Sequence, residues 1–197
     1  MYFATQDGAF DEAVKGIDVI MHVASPCHFD ADDPNELTVP AVGGTVGILK
    51  SAYKRGESVK RIIFTSSTAA ILTSQPQFRV FNDDDWNESS IREVEQKGRA
   101  AAPIDKYRAS KVHAERAAWA FMQEHKADIK FDFVTIHPSW VLGPTLLATS
   151  PQHLKTSMQV WFDTVCKGTK DDKYLATSGY VRPRYMITIR AHRFLHM

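Results

Sequence analysis

Residues 17–24 read IDVIMHVA, a nearly continuous apolar run. A strand with one wet face would alternate apolar and polar positions, so this run predicts a parallel strand covered on both faces by helices. Residues 61–65 (RIIFT) and 131–136 (FDFVTI) have the same character. Between the first two runs, Val42, Val46, Leu49 and Tyr53 recur at three-to-four spacing, which predicts a helix over 39–55 with Gly56 as its stop. A second helix is predicted over 107–125, between the second and third runs. Strands alternating with helices point to an α/β sheet built by right-handed crossovers, with ligands bound beyond the carboxyl ends of the strands.

The 197 residues, 44% of them hydrophobic, suffice for one sizeable core, and a single domain is expected. Lysine and arginine number 24 against 23 acids, so the excess charge that selects nucleic acid or an anionic membrane surface is missing. No run is long enough to span a bilayer, and the first residues lack the pattern of a secretory signal. Cys27 and Cys166 stand far apart in no metal-binding spacing, which fits a reducing, cytoplasmic setting.

From 75 to 102 the chain turns polar, and a loop excursion that is partly a solvated helix is expected there. Asp83, Asp84 and Asp85 fall within it; without the glycine and terminal glutamate of a calcium loop they read as a solvated acidic stretch. Residues 174–197 carry arginines and no acid and are expected to form a poorly packed basic terminus.

Tyr107 and Lys111 are four positions apart, on one face of the second helix. A phenol titrates near pH ~10, and a neighbouring ammonium is expected to lower that value toward the range useful for general acid–base catalysis. Such a pair also arises by chance as an exposed helical pair, so context decides. The run 61–65 ends in Thr65, Ser66, Ser67 and Thr68, hydroxyls at the edge where an open α/β sheet binds ligands. A serine there can donate to a carbonyl oxygen as negative charge develops on it, or it can cap the next helix. Ser66 and Ser67 both qualify. Hydrolysis by either serine is disfavoured: no GxSxG elbow surrounds them, and nothing in the sequence pins His22, His28, His113 or His137 beside them. His113 lies off the Tyr/Lys face and is expected at the surface.

The segments IDVIMHVASP (17–26), PAVGGT (40–45), RIIFTSS (61–67), YRASK (107–111) and HPSWVLGP (137–144), in this order, resemble the extended short-chain dehydrogenases/reductases of the epimerase/dehydratase superfamily. The nearest resemblance is to the dihydroflavonol-4-reductase, cinnamoyl-CoA reductase and fungal aldehyde/ketone reductase group, over about residues 5–178. The resemblance implies a Rossmann-like, doubly wound parallel sheet and reduction of a small ketone or aldehyde with NADPH, NADH being possible. It implies Tyr107 as proton donor, Lys111 as the ribose-holding residue and Ser67 as the group orienting the substrate oxygen. Val23, Ala24 and Ser25 would touch the dinucleotide, and residues 138–141, Pro138 and Val141 among them, would line the nicotinamide. Trp140 is kept out of the site as a packing residue.

In that family a strand, a glycine-rich turn and a helix N-terminus receive the pyrophosphate. Nothing like them precedes residue 17, and Gly43, Gly44 and Gly47 fall within a predicted helix, where they read as close packing. The expectation is therefore a partial Rossmann-like domain over 1–178 that lacks the first strands, followed by a divergent tail over 179–197. Its first strand should present an open edge prone to self-association. An inactive remnant and a nucleotide-sugar epimerase or dehydratase stand as alternatives to the reductase reading.

Overall fold

Strand β2, Arg61–Thr65, is the hub of the fold because its Ile62 and Phe64 are almost fully buried against two helices. The computed structural model describes residues 5–73, 79–82, 84–143, 150–154 and 156–167, together with 187–192, of which only the backbone is described. In chain order the elements are β1 (Val19–His22), α1 (Asn35–Arg55), β2, α2 (Glu88–Lys97), α3 (Pro103–Glu124), β3 (Asp132–Pro138), α4 (Thr156–Cys166) and β4 (Ile187–His192). The sheet order is β1-β2-β3-β4. The first three strands are parallel, with His22 opposite Phe64 and Thr65 opposite Ile136, and β4 is antiparallel to β3.

The α/β parallel sheet is as expected, and β2 has the predicted bounds. Both crossovers step the same way across the sheet, and crossovers of one hand then put their helices on one face. Leu49 and Ala52 of α1 and Ala114, Ala118, Phe121 and Met122 of α3 accordingly pack with Ile62, Phe64 and Phe133 in one core. The described strands carry both crossover helices on this one face, as a partial sheet of the expected kind does. Val19 and Met21, on the face away from the helices, are 48% and 66% exposed, so their apolar character does not report cover within the described residues.

Helix α1 begins before the predicted position because Asp33 and Glu36 form a reciprocal cap. The Asp33 carboxylate accepts from the Asn35 amide at 2.9 Å, and the Glu36 carboxylate accepts from the Asp33 amide at 2.8 Å. Gly56 ends the helix as predicted, by close approach: a Cβ there would stand 2.7 Å from the Ala52 carbonyl oxygen and from Val59 Cγ2. Gly43 also marks close packing, with the side chain of Thr5 3.0 Å from where its Cβ would be.

Within the polar excursion, α2 is packed as well as solvated. Ile91 is buried with Ala70, Ala109 and Val112, and fully buried Asn87 accepts from the Ser90 amide and donates to the Ala69 carbonyl. Asp85 pairs with Arg79, and Asp83 lies outside the described residues. The tail expected to be poorly packed contributes β4, its pairing residues running from Ile187 opposite Pro138 to His192 opposite Phe133. Residues 168–186 and 193–197 lie outside the described residues.

Candidate active site

Three segments meet at the carboxyl end of β2: the turn after β2, the first two turns of α3 and the loop after β1. Pro103 occupies the first turn of α3, where its missing N–H costs nothing. Three residues on, Lys106 is 4% exposed and donates from Nζ to the carbonyl oxygens of Ala31 (3.1 Å) and Asp32 (2.6 Å). That clamp holds the loop after β1 against α3. Phe29 then meets the Tyr107 ring edge-on at 5.7 Å, and the Cys27 thiol donates to the Tyr107 oxygen at 3.9 Å.

Ser67 approaches Tyr107 from the other side, its hydroxyl near enough to favour the phenolate. It also accepts from the Ala69 amide at 3.1 Å, capping the single helical turn 68–70. The serine beside the phenol and the capping serine, posed as alternatives in the sequence, are thus the same residue. Ser66 is committed elsewhere. Its hydroxyl donates to Glu115 Oε2 at 2.5 Å, and the same carboxylate oxygen lies 2.8 Å from His137 Nε2, while Oε1 accepts from Trp119 Nε1 at 3.3 Å. Serine, histidine and acid are all present there, but the serine is bonded to the acid and not to the histidine, and Glu115 and His137 are fully buried. No nucleophilic triad results.

Lys111 is 4% exposed, with Nζ 5.5 Å from the Tyr107 ring centre and no hydrogen-bond or ion-pair partner among the described residues. Burial lowers its pKa to about 8, against a smaller opposing effect of negative charge at Cys27. The expected lowering of the phenol by Lys111 is not what the geometry gives. Burial, foremost, and then negative charge at Cys27 push Tyr107 above its ordinary value, while the nearby Ser67 hydroxyl offsets part of that rise. The reason is desolvation: both groups are taken out of water, and each is driven toward its neutral form.

His22, at the end of β1, completes the surroundings. It is 8% exposed and stacked on Phe64, its Nε2 has no partner, and burial, then the charge of Lys111, lowers its pKa to about 4. The expected cofactor residues flank this cluster at neighbouring strand ends. Val23 and Ala24 are exposed and Ser25 is half-buried just after β1; Pro138 ends β3 half-buried, its carbonyl accepting from Thr68 Oγ1 at 3.4 Å; Val141 is exposed. Trp140 is half-buried. His113 is half-buried on the α2 side of α3, within the fields of Arg116, Glu95 and Glu88, off the Tyr/Lys face as expected but less exposed.

The sequence reading missed Cys27, Lys106 and Glu115 and gave His22 no role in the site. Cys27 carried a signal, a soft nucleophile just beyond the carboxyl end of a predicted strand. Lys106 and Glu115 carried none, since their partners lie 75 and 49 positions away.

The chain is similar to ketoreductase azaE of Aspergillus niger, 38% identical in an alignment of 176 positions that covers 84% of this chain and 48% of that protein. It is also similar to dihydroflavonol 4-reductase of Medicago sativa, at 37% identity over 78% of this chain and 66% of that one. Among solved structures it resembles yeast methylglyoxal/isovaleraldehyde reductase Gre2 complexed with NADPH. There the identity is 34% and the TM-score 0.68, over 78% of this chain and 46% of that one. The chain thus spans about half to two-thirds of the length of the proteins it matches. The profile of the NAD dependent epimerase/dehydratase family matches residues 4–176, taking in the three parallel strands, the two helices of the core and every candidate site residue. The chain belongs to the NAD dependent epimerase/dehydratase family.

Proposed function

We propose that this chain carries the carbonyl-reducing centre of an NAD(P)H-dependent oxidoreductase acting on a small ketone or aldehyde, with NADPH preferred and residues 1–178 as its nucleotide-binding unit. The observation that carries the reading is the convergence of the Ser67 and Tyr107 hydroxyls with the Lys111 ammonium, which stands 5.5 Å from the Tyr107 ring centre and has no hydrogen-bond partner among the described residues. A nicotinamide bound here would supply the hydride. Tyr107, held protonated at neutral pH by burial, enters as the acid and gives its proton to the carbonyl oxygen. Ser67 donates a hydrogen bond to that same oxygen as charge develops on it. Lys111 fits a ribose hydroxyl, because a buried cation without a partner gains most from an oxygen ligand, and its charge opposes the one left on Tyr107. Val23, Ala24, Ser25, Pro138 and Val141 would line the dinucleotide from the neighbouring strand ends.

NADPH binding followed by fluorescence, together with NADPH oxidation over a panel of small aldehydes and ketones, tests this. Saturable binding is expected, and Tyr107→Phe should lower turnover by about 10²–10⁴ with binding little changed. Wild-type turnover in the Phe variant would remove Tyr107 from its role, and absence of binding would remove the cofactor from this chain. A second property rests on β1, which is an edge strand among the described residues, where Val19 and Met21 are 48% and 66% exposed and Val23, just after the strand, is 60% exposed. Self-association through that edge is the expected consequence, checked by sedimentation with Met21→Lys.

A further inference from the structure

We propose that Cys27 is a covalent capture site for α,β-unsaturated aldehydes and ketones. Its thiol is exposed, yet the loop that carries it is fixed by Lys106 on the Ala31 and Asp32 carbonyls and by Phe29 on the Tyr107 ring. The sulfur lies 3.9 Å from the Tyr107 oxygen, so a compound whose carbonyl oxygen reaches Tyr107 and Ser67 presents its β-carbon to the thiol. Independently of the cysteine, the site holds Lys111, 4% exposed and without a hydrogen-bond partner among the described residues, its Nζ 5.5 Å from the ring of the same Tyr107 that the thiol contacts. An ammonium so placed opposes the negative charge that builds as the sulfur attacks and passes to the enolate.

In the step, the Sγ–Cβ bond forms and the C=C π pair moves through the enolate to the α-carbon. The α-carbon gains one proton, the thiol having lost one, and the product is a thioether of the saturated carbonyl compound. Nothing is oxidised or reduced, and no further reactant is needed. The proposal rests on the reductase reading for where a carbonyl oxygen sits, but not on the hydride, so capture is measured without cofactor.

The test uses the intact chain, methyl vinyl ketone below saturation and peptide mapping by mass spectrometry, with Cys166 as the internal reference because it too is free and exposed. Cys27 is expected to react at least about tenfold faster than Cys166, a modest part of the ~10²–10³ that one positioned donor contributes to a developing anion. Lys111→Met should bring the two rates within about threefold of each other, leaving Cys166 unchanged. Iodoacetamide, which has no enone, should discriminate less between the cysteines in the wild-type chain, a comparison that needs no variant to fold. Equal labelling of the two cysteines by methyl vinyl ketone overturns the proposal, and so does a preference for Cys27 equally large with iodoacetamide. A chain that reduces no carbonyl yet labels selectively at Cys27 sinks the reductase reading alone; one that reduces a carbonyl and labels both cysteines equally sinks only the capture site.

Discussion

Ser66 and Ser67 are neighbours in sequence, and Lys111 and Glu115 are one helical turn apart, yet they divide into two clusters of opposite character. In the first, Ser66, Trp119 and His137 surround Glu115, and both carboxylate oxygens are engaged. In the second, Lys111 is 4% and His22 8% exposed, and among the described residues neither Lys111 nor His22 Nε2 has a hydrogen-bond partner. Burying polar groups in a satisfied network fixes β2, α3 and β3 together, whereas burying them unsatisfied costs stability and leaves them available to a ligand. The difference between the clusters, more than the residue types in them, is what singles out the second as the candidate site.

The largest expected effect comes from breaking the satisfied cluster. Glu115→Ala should destabilise the fold by about 3–5 kcal/mol, because Ser66, Trp119 and His137 would all lose a buried partner at ~1–3 kcal/mol each. Urea denaturation measures it, and a loss below about 1 kcal/mol would mean that the network is not what holds the strand ends together.

Lys111→Met should do the opposite. The folded pKa near 8 lies below the ordinary 10.5, so at neutral pH the fold keeps a charge that the unfolded chain keeps more easily. Removing it should stabilise the protein at pH 7 by about 3 kcal/mol. In the wild type, this group's contribution makes stability rise with pH between about 8 and 10.5, where the unfolded chain binds the proton and the folded one does not; the Met variant should lack that rise.

His22 gives the acid-side counterpart. Its folded pKa near 4 lies below the ordinary 6.5, so stability is lost as pH falls from about 6.5 to 4 and the loss levels off below that. The full loss is about 3 kcal/mol, and about half of it is reached near the middle of the window. His22→Phe should flatten thermal stability across that window, and an unchanged slope would place the titration elsewhere.

The smallest effects distinguish the two serines. Ser66→Ala should cost about 1–2 kcal/mol by leaving Glu115 short of a donor, and Ser67→Ala about 1 kcal/mol by uncapping the turn 68–70. Under the proposed function only Ser67→Ala should also lower turnover. The reverse assignment of the kinetic defect would interchange the roles of the two clusters.

Local sequence determined the three parallel strands and helices α1 and α3, because each rests on a pattern that its own residues carry, whereas β4 formed within a stretch expected to be poorly packed. The apolar run at 61–65 became β2 without change, and the spacing of Val42, Val46, Leu49 and Tyr53 lay inside α1. Tyr107 and Lys111 were legible for the same reason: four positions on a helix fix a shared face whatever surrounds it. Tertiary structure alone decided which serine faces the phenol, because the choice depends on Glu115 capturing Ser66 across 49 positions. It also decided the direction of the Tyr107 and Lys111 shifts. A sequence shows that a cation stands near a phenol, but desolvation is set by everything else packed around the pair, and here it outweighs the attraction between them. The thiol beside Tyr107 belongs to the same class, since its position depends on Lys106 gripping two carbonyl oxygens of a loop more than 70 residues away.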